Sequence, residues 1–193
     1  MINMVIFASG EGSNAERLME YFSAHPEARI TWIITNREKA GVVQRAKKFR
    51  KGIQFITSET LNEMSEQLVE FLRVEKTDLI LLAGFLLKIP SAMVSAFPNR
   101  IINLHPSLLP EYGGKGMYGV HVHRAVIENK EKVSGITIHL VNEEYDKGEI
   151  LLQQSCSLVN GETQESLAEK IKQLEHIHYP IAVEQYLKKI KIE

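Results

Sequence analysis

At 193 residues, with 44% hydrophobic and 24% charged residues, the chain has the size and composition of one soluble globular domain. Its net charge of -1 gives no electrostatic reason to expect nucleic acid or a membrane surface as a partner, so small molecules are the favoured ligands. The single cysteine, Cys156, excludes an intramolecular disulfide and a multi-cysteine metal site. It fits a reducing compartment and predicts a cytoplasmic location.

No segment of the sequence predicts export or membrane insertion. The N-terminal residues lack the basic leader and long apolar core of a signal peptide. The longest strongly apolar stretch, Leu79–Leu87, is about half of the ~20 residues that a membrane-spanning helix needs. It predicts a buried strand that runs into a loop.

The first half of the chain alternates strands with helices. Met4–Ala8 predicts a strand buried on both faces, and a glycine-rich turn separates it from a helix at Ala15–Ser23. The other predicted elements of this half are strands at Ile30–Thr35, Ile53–Ile56 and Asp78–Ala83 and helices at Gly41–Lys51 and Leu61–Val74, with Ser58 and Thr60 as candidate N-caps. This alternation predicts parallel pairing with right-handed crossovers. The fold class is therefore α/β, with a doubly wound, mostly parallel Rossmann-like sheet flanked by helices.

The second half continues the sheet with a different pattern. Its predicted elements are a short helix at Ser91–Phe97, strands at Ile101–Leu104, Val133–Val141 and Ile150–Leu158, and helices at Val120–Asn129 and Thr163–Leu187. The relative direction of the last two strands stays open. Thr163 is the expected cap of the last helix, and Pro180 is expected to kink or split it.

The most informative polar residues stand at the end of the strand Ile101–Leu104. Asn103 and His105 are two residues apart, which places both side chains on one face, and Pro106 then ends the strand. Either residue alone is more often structural. Together with Asp146, which lies in the turn between the last two strands, they supply an amide, an imidazolium and a carboxylate, the set that helps an amine attack a carbonyl.

A second candidate site is the glycine-rich turn after the first strand. Gly10, Gly12, Ser13 and Asn14 open the first helix, where unpaired backbone N–H groups attract phosphate. A plain strand-to-helix turn and a monophosphate site are equally compatible with these residues. A dinucleotide site is less favoured, since no acidic residue closes the second strand, and the Walker lysine is absent.

Other polar clusters have simpler interpretations. His121 and His123 could join His105 at a zinc ion, but residues two apart at the start of a helix point in different directions. His176 and His178 have the same spacing. Cys156 is interpreted as buried filler, and the basic run Lys47–Lys51 as a solvated helix face.

Four motifs in order along the chain resemble the phosphoribosylglycinamide formyltransferases, which are folate-dependent enzymes of purine biosynthesis. The motifs are A-S-G-E-G-S-N, L-L-A-G-F, I-I-N-L-H-P-S-L-L-P and V-N-E-E-Y-D-K-G-E-I-L-L-Q, followed by a late E-H-I-H-Y-P. The resemblance implies a single formyltransferase domain over 1–193, with a phosphate-binding and substrate-binding half at 1–99 and a catalytic and folate-binding half at 100–193. It also implies formyl transfer from 10-formyltetrahydrofolate to the amine of glycinamide ribonucleotide.

The resemblance assigns roles to individual residues. The catalytic set would be Asn103, His105 and Asp146, with Thr137 close to the reacting centre. The substrate would be held by Gly12, Ser13 and Asn14 at its phosphate and by Glu175 at its ribose. The folate would contact, partly through backbone groups, Phe85, Leu86, Leu87, Lys88, Ile89, Val141, Asn142, Glu143, Glu144 and Tyr145. No metal, nucleic acid or membrane is implied, and the expected state is a monomer or homodimer.

Two departures from the family pattern accompany this resemblance. The loop after the S-L-L-P block is longer, so Lys115 and Tyr118 border the site differently, and Lys88 follows A-G-F where many relatives carry an arginine. The alternative functions are formyl transfer to another amine such as an amino sugar nucleotide, a nucleotide-binding module without catalysis, and, third, a dehydrogenase.

Overall fold

The computed structural model describes residues 1–192, and it contains one seven-stranded sheet with strand order β3-β2-β1-β4-β5-β6-β7. The strands are β1 (Ile2–Phe7), β2 (Ala28–Thr35), β3 (Gly52–Phe55), β4 (Leu79–Leu82), β5 (Ile101–His105), β6 (Val133–Leu140) and β7 (Ile150–Ser157). β1 pairs in parallel with both β2 and β4, and β2 pairs in parallel with β3, which confirms the doubly wound prediction. β6 and β7 are antiparallel, so the direction that the sequence left open is settled.

The helices flank this sheet. They are α1 (Ser13–Tyr21), α2 (Gly41–Lys48), α3 (Ser58–Glu63), α4 (Ser65–Val74), α5 (Ser91–Ala96), α6 (Val120–Glu128) and α7 (Gln164–Ile192). The helix predicted at Leu61–Val74 is therefore two helices, because Met64 leaves the helical region with φ -117° and ψ 26°. The N-cap is Thr57, whose extended backbone lets its hydroxyl accept the Thr60 N–H; neither Ser58 nor Thr60 is the cap itself.

The last helix runs through its proline without splitting. Thr163 accepts the Ser166 N–H, which confirms the predicted cap. Pro180 lies inside α7, which continues as one element because its buried face, including Tyr179 and Val183, packs against β6 and β7. Tertiary packing here outweighs the missing proline N–H. None of the helices within residues 1–192 is long and apolar enough to cross a membrane.

Two compact units share the chain, Met1–Ile102 and the residues from Asn103 onward. In the first, β1 and β4 are almost completely buried, which accounts for their nearly uniform apolar sequences. In the second, β6 is buried from Ser134 to Leu140, whereas side chains of β7 alternate in exposure. Cys156 lies on β7 and is half-buried, so its interpretation as buried filler is wrong; burial still raises the pKa of its thiol.

Candidate active site

The end of β5 brings the predicted histidine into a buried position. His105 is the last residue of this strand, and its side chain is 5% exposed. Its Nε2 lies 2.8 Å from the Tyr112 carbonyl oxygen. Since a carbonyl only accepts, Nε2 carries the proton and donates it, which leaves Nδ1 as the lone-pair nitrogen of the neutral ring.

Asp146 faces that free nitrogen. Its Oδ2 is 3.7 Å from His105 Nδ1, close enough for an ionic interaction and too long for a direct hydrogen bond. Burial lowers the pKa of His105, and this effect outweighs the opposing influence of the Asp146 carboxylate. The lowered pKa favours a neutral His105 imidazole at neutral pH.

The carboxylate of Asp146 is fixed from both sides. The residue stands in a turn with φ +54°, and its Oδ2 accepts the Gly114 N–H at 2.8 Å. Its Oδ1 lies 3.5 Å from Asn103 Nδ2, so the structure brings all three predicted catalytic side chains together. Burial acts to raise the pKa of Asp146, but His139, the Gly114 N–H and His105 together lower it, so the group is a carboxylate at neutral pH.

A fourth polar side chain, His139, belongs to this cluster and was missed by the sequence reasoning. Its Nδ1 donates to the Leu140 carbonyl at 2.8 Å, which turns Nε2 toward Asn103 and Asp146. Asn103 Nδ2 lies 3.1 Å from this Nε2, whereas Asp146 Oδ1 is farther away at 3.5 Å. His139 therefore holds the Asn103 amide nitrogen on one side, whereas the 3.5 Å separation from Asp146 Oδ1 is too long to commit its second N–H. The signal was the polar pair Thr137 and His139, two apart on one face of a buried strand.

Thr137 organises the loop that follows β5. Its buried hydroxyl donates to the Ser107 carbonyl at 2.7 Å and accepts the Leu109 N–H at 2.9 Å. Gln153, also missed by the sequence reasoning, donates its amide to the Thr137 hydroxyl and to the Leu109 carbonyl, both at 2.9 Å. Thr137 thus supports the loop that leaves His105.

In the first unit, the predicted phosphate turn is held by close backbone packing. α1 begins at Ser13, directly after Gly12, which has φ +75° and no side chain to cap the helix. A Cβ at Gly12 would lie 2.6 Å from the Val42 side chain, so only glycine fits. The first-turn N–H groups, including those of Ser13 and Asn14, form the helix terminus at which an anion is stabilised.

A charged cluster supports the same turn from α2. Arg45 Nε donates to the Glu11 carbonyl at 2.7 Å, and its guanidinium also pairs with Glu16. Lys48 Nζ lies 3.0 Å from Glu16. Glu16 is the acidic residue of the first turn of α1, and these two cations offset the repulsion it would exert on a bound phosphate.

The segment 85–89, expected to contact folate, also lies in the first unit. Ser9 accepts the Leu86 N–H at 3.0 Å through its hydroxyl and donates its own N–H to the Gly84 carbonyl at 3.0 Å. The Leu86 N–H is therefore committed to Ser9. Phe85 packs edge-on against Phe7, and Leu86 is 40% exposed, which fits contact with an aromatic ligand. Leu87 and Lys88 complete the segment, and Ile89 is buried.

The segment 141–145 lies in the second unit, directly after β6. Asn142 accepts the Glu144 N–H at 3.0 Å, which forms a tight turn, and Tyr145 is 42% exposed. Val141 is half-buried, whereas Glu143 is exposed. Glu175, the expected ribose contact, is half-buried on α7. The pKa of the neighbouring buried Tyr179 is raised, first by burial of the Tyr179 side chain and then by the negative charge of Glu175.

The alternative zinc cluster is not formed in the described part of the chain. His121 is exposed at the start of α6, whereas His123 is buried, and burial lowers its pKa. Within residues 1–192, no group of three histidine, cysteine or acidic side chains has a geometry that could hold a metal ion.

The doubly wound fold carries a polar cluster of the type that can assist acyl transfer to an amine, and comparison with known proteins gives the family. The chain belongs to the formyl transferase family, whose model matches residues 2–183. It is 40% identical over 183 residues to the phosphoribosylglycinamide formyltransferase, chloroplastic, of Arabidopsis thaliana, covering 91% of this chain and 62% of that protein. It is 32% identical to the phosphoribosylglycinamide formyltransferase of Bacillus subtilis, covering 97% of this chain and 95% of that protein.

Solved structures of proteins with the same name have a similar fold. The crystal structure of phosphoribosylglycinamide formyltransferase from Bacillus halodurans has a TM-score of 0.89 and 32% identity, covering 97% of this chain and 96% of that chain. The chain spans about three fifths of the length of the Arabidopsis relative.

Proposed function

We propose that this protein transfers the formyl group of 10-formyltetrahydrofolate to the amine of glycinamide ribonucleotide, giving the N-formyl product and tetrahydrofolate in purine biosynthesis. The observation that carries this proposal is the contact of Asn103, His105 and Asp146 at the end of β5. The relatives that bear this activity in their names support the choice of substrates.

For the acceptor substrate, the proposed phosphate ligands are the N–H groups and polar side chains of Gly12, Ser13 and Asn14. The uncapped start of α1 supports this assignment, because its donors and helix dipole favour an anion. Glu175 is the proposed ribose contact, as the resemblance implies.

The reaction needs a base first and an acid afterwards. His105 is neutral before the substrate arrives, and its lone pair on Nδ1 can accept a proton from the substrate amine. The neutral amine attacks the formyl carbon and negative charge develops on the formyl oxygen. His105 Nδ1 takes the proton as the new carbon–nitrogen bond makes the amine nitrogen acidic. The imidazolium formed at His105 is paired with Asp146 and stabilises that oxygen together with the Asn103 amide.

The transfer is completed by returning the proton. Breaking the bond between the formyl carbon and the donor nitrogen requires a proton on that nitrogen, and Nδ1 of His105 can supply it directly or through water held by Asp146. The atoms balance: one amine proton moves to the leaving nitrogen, and the formyl group moves to the amine. No covalent enzyme adduct is needed.

For the formyl donor, the proposed contacts are segments 85–89 and 141–145. The donor supplies an activated formyl group on nitrogen. The exposed apolar surface of Leu86 and Tyr145 supports binding of an aromatic ring system. Segment 141–145 immediately follows β6, and Asp146 is the next residue. A ligand bound to this segment would therefore lie beside the proposed catalytic carboxylate.

The decisive test is an assay of the purified protein with glycinamide ribonucleotide and 10-formyltetrahydrofolate, followed by the absorbance change of folate deformylation. We expect folate-dependent formation of the N-formyl product. An amino sugar nucleotide in place of glycinamide ribonucleotide tests the alternative acceptor, and turnover with it alone would contradict the proposal. Ligand binding without turnover would favour a nucleotide-binding module, and NAD binding a dehydrogenase.

The remaining proposals concern organisation and location. We propose that residues 1–193 act as one catalytic domain and that the protein is cytoplasmic, which the single, half-buried cysteine supports.

A further inference from the structure

The loop after β5 carries a residue, Tyr112, that contacts the catalytic histidine through its backbone. Its carbonyl accepts the His105 Nε2–H at 2.8 Å. Two residues later, the Gly114 N–H donates to Asp146 Oδ2 at 2.8 Å. The three-residue segment Tyr112–Gly114 therefore touches both His105 and Asp146, and its position helps to set the 3.7 Å separation between His105 Nδ1 and Asp146 Oδ2.

Tyr112 has a backbone conformation that is intrinsically unfavourable for a tyrosine. Its φ of +56° lies in the left-handed region, which is unfavourable for a residue with a side chain. Something outside the residue has to maintain this conformation. If it relaxed to negative φ, the peptide plane would rotate and the carbonyl would leave His105.

The Tyr112 side chain supplies this restraint. Its hydroxyl donates to Glu131 Oε1 at 2.7 Å and accepts from Asn129 Nδ2 at 2.9 Å. Both partners lie within three residues of the end of α6, and their backbone N–H groups donate to helix carbonyls, Asn129 to Ala125 and Glu131 to Val126. The hydroxyl is therefore attached to the fixed C-terminal end of a helix.

We propose that Tyr112 is a positioning residue of the active site: its hydroxyl, bound to Glu131 and Asn129, holds the Tyr112 carbonyl on His105 Nε2 and keeps Nδ1 directed at Asp146. This gives a role to Tyr112 in the loop between β5 and α6, where the sequence analysis singled out Lys115 and Tyr118. The link to turnover rests on the proposed formyl transfer; the link to the histidine tautomer does not.

The chemical consequence follows from the two ring nitrogens. With Nε2–H committed to the carbonyl, Nδ1 is the only nitrogen that can exchange a proton with the substrate. If the carbonyl moves away, the proton can shift to Nδ1 and be donated to Asp146. The ring then presents the wrong nitrogen for base catalysis, while the side chain itself remains in place.

The test uses Tyr112→Phe, which removes the hydroxyl and keeps the ring. Nitrogen-15 NMR of the histidine side chains, with His105 identified by its absence in His105→Gln, reports the tautomer directly. We expect an Nε2–H signal for His105 in the unaltered protein and a substantial Nδ1–H population in Tyr112→Phe. We also expect kcat to fall about tenfold with little change in KM, and the pH profile of kcat to shift.

Glu131 provides an independent route to the same result, in case Tyr112→Phe folds poorly. Glu131→Ala should reproduce the altered tautomer, and Glu131→Gln, which keeps an oxygen acceptor, should restore much of the original signal. Glu128→Ala, an exposed change at the end of the same helix, is the matched control and should leave the tautomer unchanged. Unaltered His105 signals in both Tyr112→Phe and Glu131→Ala would overturn the proposal, whether or not the protein shows formyl transfer.

Discussion

The turn at Gly10–Asn14 and the cluster around His105 illustrate two ways of building a binding site. The turn relies on the backbone: Gly12 packs against Val42 where no Cβ fits, and the helix N–H groups are the donors. The cluster relies on side chains whose orientation is fixed by other hydrogen bonds, such as those from His139 to the Leu140 carbonyl and from Gly114 to Asp146.

This difference determines what a substitution can do. A backbone site is damaged by adding atoms or altering φ, and the loss should be seen in folding and in binding. A side-chain site is damaged by changing one functional group, and the loss should be seen in turnover. Four substitutions test this distinction.

The largest effect is expected for Asp146→Asn. The amide cannot offset the positive charge that His105 acquires during the reaction, so we expect kcat to fall about 10³-fold with the fold preserved. Steady-state kinetics with both substrates, together with circular dichroism, measures this. Turnover within a few-fold of the unaltered protein would contradict the assigned role of Asp146.

Gly12→Ala should act on the backbone site instead. The added Cβ meets Val42 at 2.6 Å in a residue with φ +75°, so we expect a loss of about 2 kcal/mol in the free energy of unfolding. We also expect KM for the phosphorylated substrate to rise about tenfold, more than kcat falls.

Gly10→Ala is the matched control for the stability part of that prediction. Gly10 lies two residues earlier, and a Cβ there would meet no atom within 4 Å. Urea denaturation should therefore separate the two variants, with Gly10→Ala close to the unaltered protein. Equal losses in both would show that the contact with Val42 is not what demands glycine.

The sequence predicted the backbone part of this molecule better than the side-chain part. The strands of the first unit were found to within about two residues, because burial on both faces leaves apolar runs that can be read directly. The division between α3 and α4 was not predicted, since nothing in the local composition at Met64 breaks the helical pattern.

At the site, sequence motifs identified Asn103, His105 and Asp146, but not the residues that orient them. His139 and Gln153 act through hydrogen bonds to residues 36 and 44 positions away, to Asn103 and Leu109 respectively. Such pairings depend on how neighbouring strands are aligned, and the sequence left open even the relative direction of β6 and β7. The protonation state of His105 could not be predicted from the sequence either, because its pKa depends on how deeply the side chain is buried.

Thr137 tests whether the loop after β5 needs its buried support. Thr137→Val leaves the Leu109 N–H and the Gln153 amide without their acceptor, and we expect a loss of about 2 kcal/mol in stability and about a fivefold fall in kcat. Thr137→Ser keeps the hydroxyl and loses only a methyl group, so it should retain most of the activity. Equal kinetics in the two variants would indicate that the hydroxyl has no part in placing His105.

The smallest effect is expected from His123→Leu, which concerns stability in acid. His123 is buried on α6, its Nδ1 has no hydrogen-bond partner among residues 1–192, and burial lowers its pKa below the usual 6.5. The unfolded chain therefore binds a proton below about pH 6.5 that the folded chain resists, so His123 reduces stability as the pH falls. Asp146 acts in the same direction at lower pH, because its pKa is also lowered.

His123→Leu should remove that dependence, while the contribution of His105 remains. Between pH 6.5 and the lowered pKa, each such proton changes the free energy of unfolding by up to about 1.4 kcal/mol per pH unit, so the variant should lose less stability on acidification. Thermal denaturation from pH 7.5 to pH 5 measures this, and His121→Leu, an exposed change on the same helix, controls for the loss of one histidine. The same acid slope in His123→Leu as in the unaltered protein would assign the acid sensitivity to the His105 cluster, and so to the side-chain site alone.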